Sequence, residues 1–254
     1  MKIQLLSGGG TNNPKEQYLT SFLINNNLAV DAGALPLALS RQEQLAIRHI
    51  FITHSHLDHL AGLPLMLDNV FTEIEQVIWV YAIEETIQAL KKHIFNNIIW
   101  PDFSSFKNSF NVSLQFQEIT PGQILKIDDL EIIAVPVNHT VATVGLIIKD
   151  FSSAVVISGD TTSTEDLWNK AKEILELKAA FIECSYPDRL SDIALKYGHL
   201  SPNLLLTEYK KLSKSIPCFA YHIKPSHFEE VVIELKMLES EKILVANPGQ
   251  IYDF

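Results

Sequence analysis

Three histidines and an aspartate stand within six residues, His54-Ser-His56-Leu-Asp58-His59, directly after the apolar, β-rich run of residues 49–52. Where backbone is extended or turning, alternate side chains leave on the same side. His54 and His56 can therefore converge on one metal ion, while Asp58 and His59 turn toward a second. Imidazole and carboxylate donors suit zinc first, and manganese or iron as well. One loop cannot close two metal sites, so further ligands must arrive from other strand ends. Three apolar runs end in a fitting residue: one leads into Asn138-His139-Thr140, one into Gly159-Asp160-Thr161, and one, through Ala220-Tyr221, into His222. Ligands spread from position 54 to position 222 require distant strand ends to meet, which predicts one domain over residues 1–254.

The surrounding pattern is a run of strands, a helical block, more strands, then alternating units. Short strands are expected at 2–6, 20–24 and 28–30, with a turn at residues 8–10 and another at Asp31-Ala32-Gly33. Helical spacing covers residues 35–47, 61–70, 84–95, 202–212 and 227–238. Extended runs fall at 77–81, 114–118, 124–126, 131–137, 143–148, 154–157, 179–182 and 218–221. Thr162-Ser-Thr-Glu165 has the spacing of a capping box, ahead of apolar positions Leu167, Trp168, Ala171, Ile174 and Leu175. No linker rich in Pro, Gly or Ser divides the chain. Two packed sheets with helices outside, an α/β architecture, suit this order.

Composition narrows the chemistry. Of 254 residues 47% are hydrophobic, enough for a sizeable core, and 20 basic against 30 acidic residues give a net charge of −10. No basic run offers a track for a long polyanion, so a nucleic acid polymer is not expected as partner. Cys184 and Cys218 form no CxxC pair and read as small buried hydrophobes. The first ten residues lack the apolar region of an export signal, and no stretch approaches the ~20 apolar residues of a membrane span. The expectation is a soluble, cytoplasmic protein with no membrane partner.

His54, His56, Asp58 and His59 match the HxHxDH motif of the metallo-β-lactamase superfamily, and His139, Asp160 and His222 fall in the order of its later ligand motifs. Asp31-Ala32-Gly33 also resembles that superfamily's opening. The resemblance covers nearly the whole chain and implies an αβ/βα four-layer sandwich with the site at one edge. It further implies His54, His56 and His139 on one metal, Asp58, His59 and His222 on the other, and Asp160 bridging. Asp31 is then expected behind the ligands rather than among them.

A superfamily is not a reaction. The stretch Phe181-Ile-Glu183-Cys-Ser-Tyr186-Pro187, followed by Tyr197-Gly-His199-Leu-Ser-Pro202, adds a Glu and a His beyond the ligand set. Glu183 can orient the His199 imidazole, and His199 can protonate a leaving alkoxide. Phosphodiester cleavage needs that proton more than thioester or lactam hydrolysis does. The chain resembles the class II cyclic-nucleotide phosphodiesterases, the bacterial members most closely. That resemblance rests on Ser21-Phe22-Leu23-Ile24, HSHLDHLAGLP, Ile94-Phe95-Asn96 through Trp100-Pro101-Asp102-Phe103, Val137-Asn138-His139-Thr140, Ser158-Gly159-Asp160-Thr161, IECSYP and GHLSP. It departs at Leu65-Met66-Leu67-Asp68, where the class pattern carries Ser-Pro or Ser-Ala. A second resemblance, to the tRNA 3′-end-processing endonuclease, shares the HxHxDH core and the Glu and His motifs. Its early motif is matched only in part by Asn13-Pro14-Lys15-Glu16, and no Gly- and Lys-rich insertion supplies a tRNA-holding arm. Another phosphodiesterase of the same fold is the remaining alternative, and a non-catalytic binding protein is disfavoured because all seven ligand positions are filled.

The resemblance implies hydrolysis of cAMP or cGMP to the nucleoside 5′-monophosphate through a hydroxide bridging two divalent ions. Asp58, Glu183 and His199 are the expected catalytic residues, Asp58 orienting the nucleophile while it binds its metal. Asn138, Thr140, Trp100, Phe103 and Tyr186 are the expected substrate contacts, the three aromatics by stacking on or walling the base. Residues 95–110 suit a homodimer contact equally well. His49, His93 and His227 are expected in ordinary packing or surface positions.

Overall fold

Residues 1–6, 8, 17–112, 114–238 and 240–254 are described by the computed structural model of the chain. Gly9 and Gly10 of the early turn, and residues 13–16, lie outside them. The chain forms two compact units, residues 1–120 with 248–253 and residues 121–247 with Phe254.

The first unit contains β1 (Lys2–Leu5), β2 (Phe22–Ile24), β3 (Leu28–Val30), α1 (Leu35–Ala38), α2 (Arg41–Ala46), β4 (His49–Phe51), α3 (Leu57–Leu60), α4 (Gly62–Val70), β5 (Ile78–Ala82), α5 (Glu84–His93) and β6 (Leu114–Glu118). The second contains β7 (Ile124–Ile127), β8 (Leu130–Val137), β9 (Thr143–Lys149), β10 (Ala154–Ile157), α6 (Asp166–Lys172), β11 (Leu177–Glu183), α7 (Ser191–Lys196), α8 (Pro202–Lys211), β12 (Cys218–Tyr221), α9 (Phe228–Met237) and β13 (Ile243–Val245). The last strand, β14 (Ile251–Asp253), returns to the first unit and pairs antiparallel with β1.

Among the described residues each unit has one mixed seven-stranded sheet, ordered β14-β1-β2-β3-β4-β5-β6 and β13-β12-β11-β10-β9-β8-β7. In the first, β3 to β6 run parallel. In the second, β10 to β13 run parallel, while β7, β8, β9 and β10 pair antiparallel in succession. Two antiparallel steps restore direction, so β8 points the same way as β10, β11 and β12. All four carboxyl ends therefore lie along one edge of that sheet, where α/β folds gather functional loops.

Each unit buries its own core. In the first, Ala29, Ile50, Val80 and Leu114 of the sheet meet Leu63, Met66 and Leu67 of α4 and Ile87 and Leu90 of α5. In the second, Val156, Ala180, Ile182 and Ala220 meet Leu167 and Trp168 of α6, Leu205 of α8 and Val231 of α9. Strands such as β10, buried along their full length, read as unbroken apolar runs because helices or neighbouring side chains cover both faces.

Two local expectations differ. The helical stretch 35–47 is two helices, because Ser40 accepts from the Glu43 amide while the Glu43 carboxylate accepts from the Ser40 amide, and this reciprocal cap starts a new helix. The capping box expected at Thr162–Glu165 does not form. α6 begins at Asp166 without a side-chain cap, and the Thr164 amide donates instead to Glu208 from α8, at 3.0 Å. α7, β13 and β14 carried no expectation from the sequence. No helix among the described residues is long and apolar enough to cross a membrane.

Candidate metal centre

In the first unit β3 and β4 end side by side, with Val30 paired to Phe51. Asp31 follows β3 in a left-handed backbone conformation (φ 59°). Its carboxylate is buried and receives the Thr53 amide at 2.8 Å, the Thr53 hydroxyl at 2.9 and 3.0 Å, and Nδ1 of His59 at 2.7 Å. The Thr53 oxygen, its own hydrogen committed to Asp31, accepts from Nδ1 of His54 at 3.0 Å. Both imidazoles are thereby held with the hydrogen on Nδ1, which leaves the lone pair on Nε2. The His54 ring centroid is 4.8 Å from that of His56 and 4.2 Å from that of His59, and Nε2 of His59 is 3.9 Å from Asp58. His56 precedes α3, and Asp58 and His59 occupy its first turn and last turn. The six-residue motif is therefore a strand end running into one helical turn, which aims four donors from a short piece of backbone.

In the second unit the expected donors come from three strand ends. His139 follows β8, and its Nδ1 donates to the carbonyl of Gly198 at 2.8 Å. Asp160 follows β10 after the turn at Gly159, where φ is +63° and a Cβ would stand 2.7 Å from the Val144 carbonyl oxygen. His222 follows β12 in a left-handed conformation (φ 63°), with Nδ1 2.9 Å from the Ser185 hydroxyl and Nε2 3.5 Å from Asp160. Asp160, His199 and His222 each offer a ligand atom within 4.8 Å of the others.

Glu183, at the end of β11, is fully buried. Its Oε1 accepts Nδ1–H of His199 at 3.0 Å and the amides of Thr161 and Leu200 at 3.2 Å each. Burial pulls the His199 imidazole down, but the Glu183 carboxylate, by charge and hydrogen bond, and the charge on Asp160 outweigh it and hold the ring above its ordinary value. The result is a buried imidazole, readily protonated, beside two metal-type donors.

The seven positions expected as ligands are His54, His56, Asp58 and His59 in the first unit and His139, Asp160 and His222 in the second. Within the second unit Asp160 and His222 stand with His199 closely enough to hold a metal ion. The donors fit such an ion chemically as well as spatially. Each histidine whose Nδ1 is engaged by a carbonyl, hydroxyl or carboxylate has the tautomer a ligand needs, and the acceptor behind it fixes the ring.

The expected substrate contacts separate. Asn138 and Thr140 line an open basin of about 550 Å³ with Val141, Thr162, Lys196 and Gly198. The Asn138 side-chain amide donates to the Ser163 carbonyl at 2.6 Å, which fixes that rim. The Tyr186 ring lies 5.9 Å from that of His199. Phe103 corrects the expectation of an aromatic wall: it is 4% exposed, packed 4.7 Å from Phe71 and 5.4 Å from Phe106 in the core of the first unit, and Trp100 packs on the same core. Sequence reasoning missed Thr53, Ser185 and Lys196. Thr53 adjoins the motif, and Ser185 lies two residues past Glu183, the spacing that puts side chains on one side of extended chain. Lys196 carried no signal.

Cys184 and Cys218 are both buried and unoxidised, and burial raises the thiol pKa of each, as small core residues require. His49 bonds the Tyr81 hydroxyl at 3.0 Å within the first unit.

A family model described as cAMP phosphodiesterases class-II matches residues 17–166 and 146–238. A probable 3′,5′-cyclic-nucleotide phosphodiesterase of Yersinia pestis is 28% identical over 275 residues, covering 88% of this chain and 78% of that one. The structure of unliganded yeast PDE1 matches with a TM-score of 0.79 at 21% identity, covering 98% of each chain. The metallo-β-lactamase fold protein YhfI from Bacillus subtilis matches with a TM-score of 0.74 at 17% identity, covering 99% of this chain and 98% of that one. The chain thus has the metallo-β-lactamase fold.

Proposed function

The chain belongs to the class-II cAMP phosphodiesterase family, and from that premise we propose that it hydrolyses 3′,5′-cyclic nucleotides, cAMP or cGMP, to the nucleoside 5′-monophosphate. The observation that carries the reading is the His199–Glu183 pair, 3.0 Å apart and buried beside Asp160 and His222. A 3′ alkoxide is a poor leaving group unless it is protonated, and this pair supplies a proton donor at the right kind of site.

In this reading residues 1–254 act as one hydrolase domain with a dinuclear centre. His54, His56 and His139 would hold one divalent ion and Asp58, His59 and His222 the other, with Asp160 available to both. Zinc is the first choice for these donors, with manganese and iron acceptable to the same set. Such ions, when bound, neutralise the phosphate oxygens and acidify water toward neutral pH.

The chain's own residues do the rest. Asp58 orients the attacking water, which gives up one proton to solvent as its oxygen forms the new bond to phosphorus and the bond from phosphorus to O3′ breaks. His199 gives its Nε2 proton to O3′, and Glu183 keeps the imidazole turned by holding Nδ1–H. Asn138, Thr140 and Lys196, on the rim of the basin beside His139, contact the nucleotide, and Tyr186 flanks His199. A single positive side chain in that lining suits a small anion rather than a polymer.

The test is a substrate panel on metal-loaded protein: cAMP, cGMP, bis(p-nitrophenyl) phosphate, pre-tRNA and S-lactoylglutathione. Turnover of a cyclic nucleotide with 5′-monophosphate as product supports the proposal. Cleavage of pre-tRNA with both cyclic nucleotides untouched overturns it in favour of the tRNA-processing reading.

A further inference from the structure

Ser185 is wholly buried, two residues beyond Glu183. Around its hydroxyl oxygen stand Nδ1 of His222 at 2.9 Å, the His222 carbonyl oxygen at 3.1 Å, Oε2 of Glu183 at 3.2 Å and Nδ1 of His199 at 3.3 Å. A hydroxyl has one hydrogen to give and two lone pairs to receive. Nδ1 of His199 has a nearer, charged acceptor in Oε1 of Glu183, at 3.0 Å, so its hydrogen goes there. The serine hydrogen goes to the other carboxylate oxygen, Oε2 at 3.2 Å, because its charge makes it a stronger acceptor than the neutral His222 carbonyl at 3.1 Å. The serine oxygen is then left to accept from Nδ1–H of His222, its shortest contact.

We infer that Ser185 is a positioning residue that links the ligand His222 to the acid pair Glu183–His199 through one hydroxyl. It holds His222 in the tautomer that keeps the lone pair on Nε2. It also holds the Glu183 carboxylate in the rotation that presents Oε1 to His199. The chain His222–Ser185–Glu183–His199 is continuous and buried, so the orientation of the ligand and the orientation of the acid are set together. A backbone carbonyl could hold His222 and a backbone N–H could hold Glu183, but one hydroxyl oxygen that both accepts and donates joins them. The inference rests on the dinuclear phosphodiesterase reading above.

Ser185→Ala removes the link with the smallest change in volume, and Ser185→Thr keeps the hydroxyl. Three measurements on the zinc-loaded enzyme and both variants decide the matter: zinc affinity by chelator competition, ¹⁵N shifts of the His199 and His222 ring nitrogens, and kcat and KM for cAMP at saturating zinc. The expected result for Ser185→Ala is zinc affinity lower by about 10- to 100-fold. With it, kcat falls by about tenfold at little change in KM, and the nitrogen signals of both histidines move. Ser185→Thr is expected to recover most of each loss.

Wild-type zinc affinity together with wild-type kcat in Ser185→Ala overturns the inference. A change at only one of the two histidines also overturns it, because the serine would then serve one neighbour and not join two. If the unmodified enzyme cleaves no phosphodiester at all, the dinuclear phosphodiesterase reading fails instead, and zinc affinity and the ring-nitrogen signals still decide the role of Ser185.

Discussion

The carbonyl oxygen of Gly198 receives Nδ1–H of His139 at 2.8 Å, and the same glycine has no room for a side chain: at φ +82° a Cβ would lie 2.3 Å from that nitrogen. One residue thus aims a ligand by its backbone and clears space for it by lacking a side chain. Gly198→Ala is expected to displace His139 and lower metal affinity by about 10- to 100-fold. Chelator competition would measure it, and unchanged affinity would show that the loop can shift at no cost.

Asp31 holds His59 directly and His54 through Thr53. Asn tolerates the left-handed backbone at this position, so Asp31→Asn changes the charge and little else. An amide oxygen is a weaker acceptor than a carboxylate, and the amide nitrogen faces donors. Metal affinity should fall by about tenfold or more with secondary structure retained by circular dichroism.

His199→Gln removes the proton donor without emptying the ligand set. At full metal occupancy, checked by elemental analysis, bis(p-nitrophenyl) phosphate, whose nitrophenolate leaves unprotonated, should be little affected, while kcat on cAMP should drop about 10²- to 10⁴-fold. Wild-type turnover of cAMP in a fully loaded variant would take the acid role away from His199.

Glu208 of α8 is buried and accepts from Trp168 Nε1 at 2.7 Å and the Thr164 amide at 3.0 Å, while Lys211 pairs with it at 2.8 Å. Glu208→Ala strands two buried donors, while Lys211 keeps Glu165 and the Ser163 hydroxyl, each at 2.8 Å. The expected loss is about 2–4 kcal/mol, read as a lower Tm and urea midpoint. Below the new Tm the catalytic constants should hold, since none of these groups touches the donors.

Metal binding should register as stability. An ion that binds only the folded chain, present at about 100 times its Kd, adds about 2.7 kcal/mol per site. Thermal melts with and without zinc should show the rise, and a chelator should reverse both the rise and the activity.

Much of this site is legible in the chain because its donors sit at sequence-marked places. Apolar strand followed by His or Asp is a local pattern, and it marks His54, His139, Asp160 and His222 without any knowledge of the fold. The strands fare well for a similar reason: runs buried along their length, such as β10, leave no alternative reading. Helix boundaries fare less well. Ser40 starts a second helix through a cap written in its own sequence, whereas the cap expected at Thr162 is displaced by the carboxylate of Glu208, more than forty residues away.

The sequence by itself determined the kinds of donor, their order and the strand ends that carry them, because these depend on residue type and neighbours a few positions away. Tertiary structure alone decided the tautomers, the strained backbone at Asp31 and His222, the burial of Phe103, and the serine between two histidines. Those depend on which atoms of distant segments come within 3 Å. Between distant segments a hydrogen bond is specific at that distance and leaves no trace in the local spacing of the residues that make it.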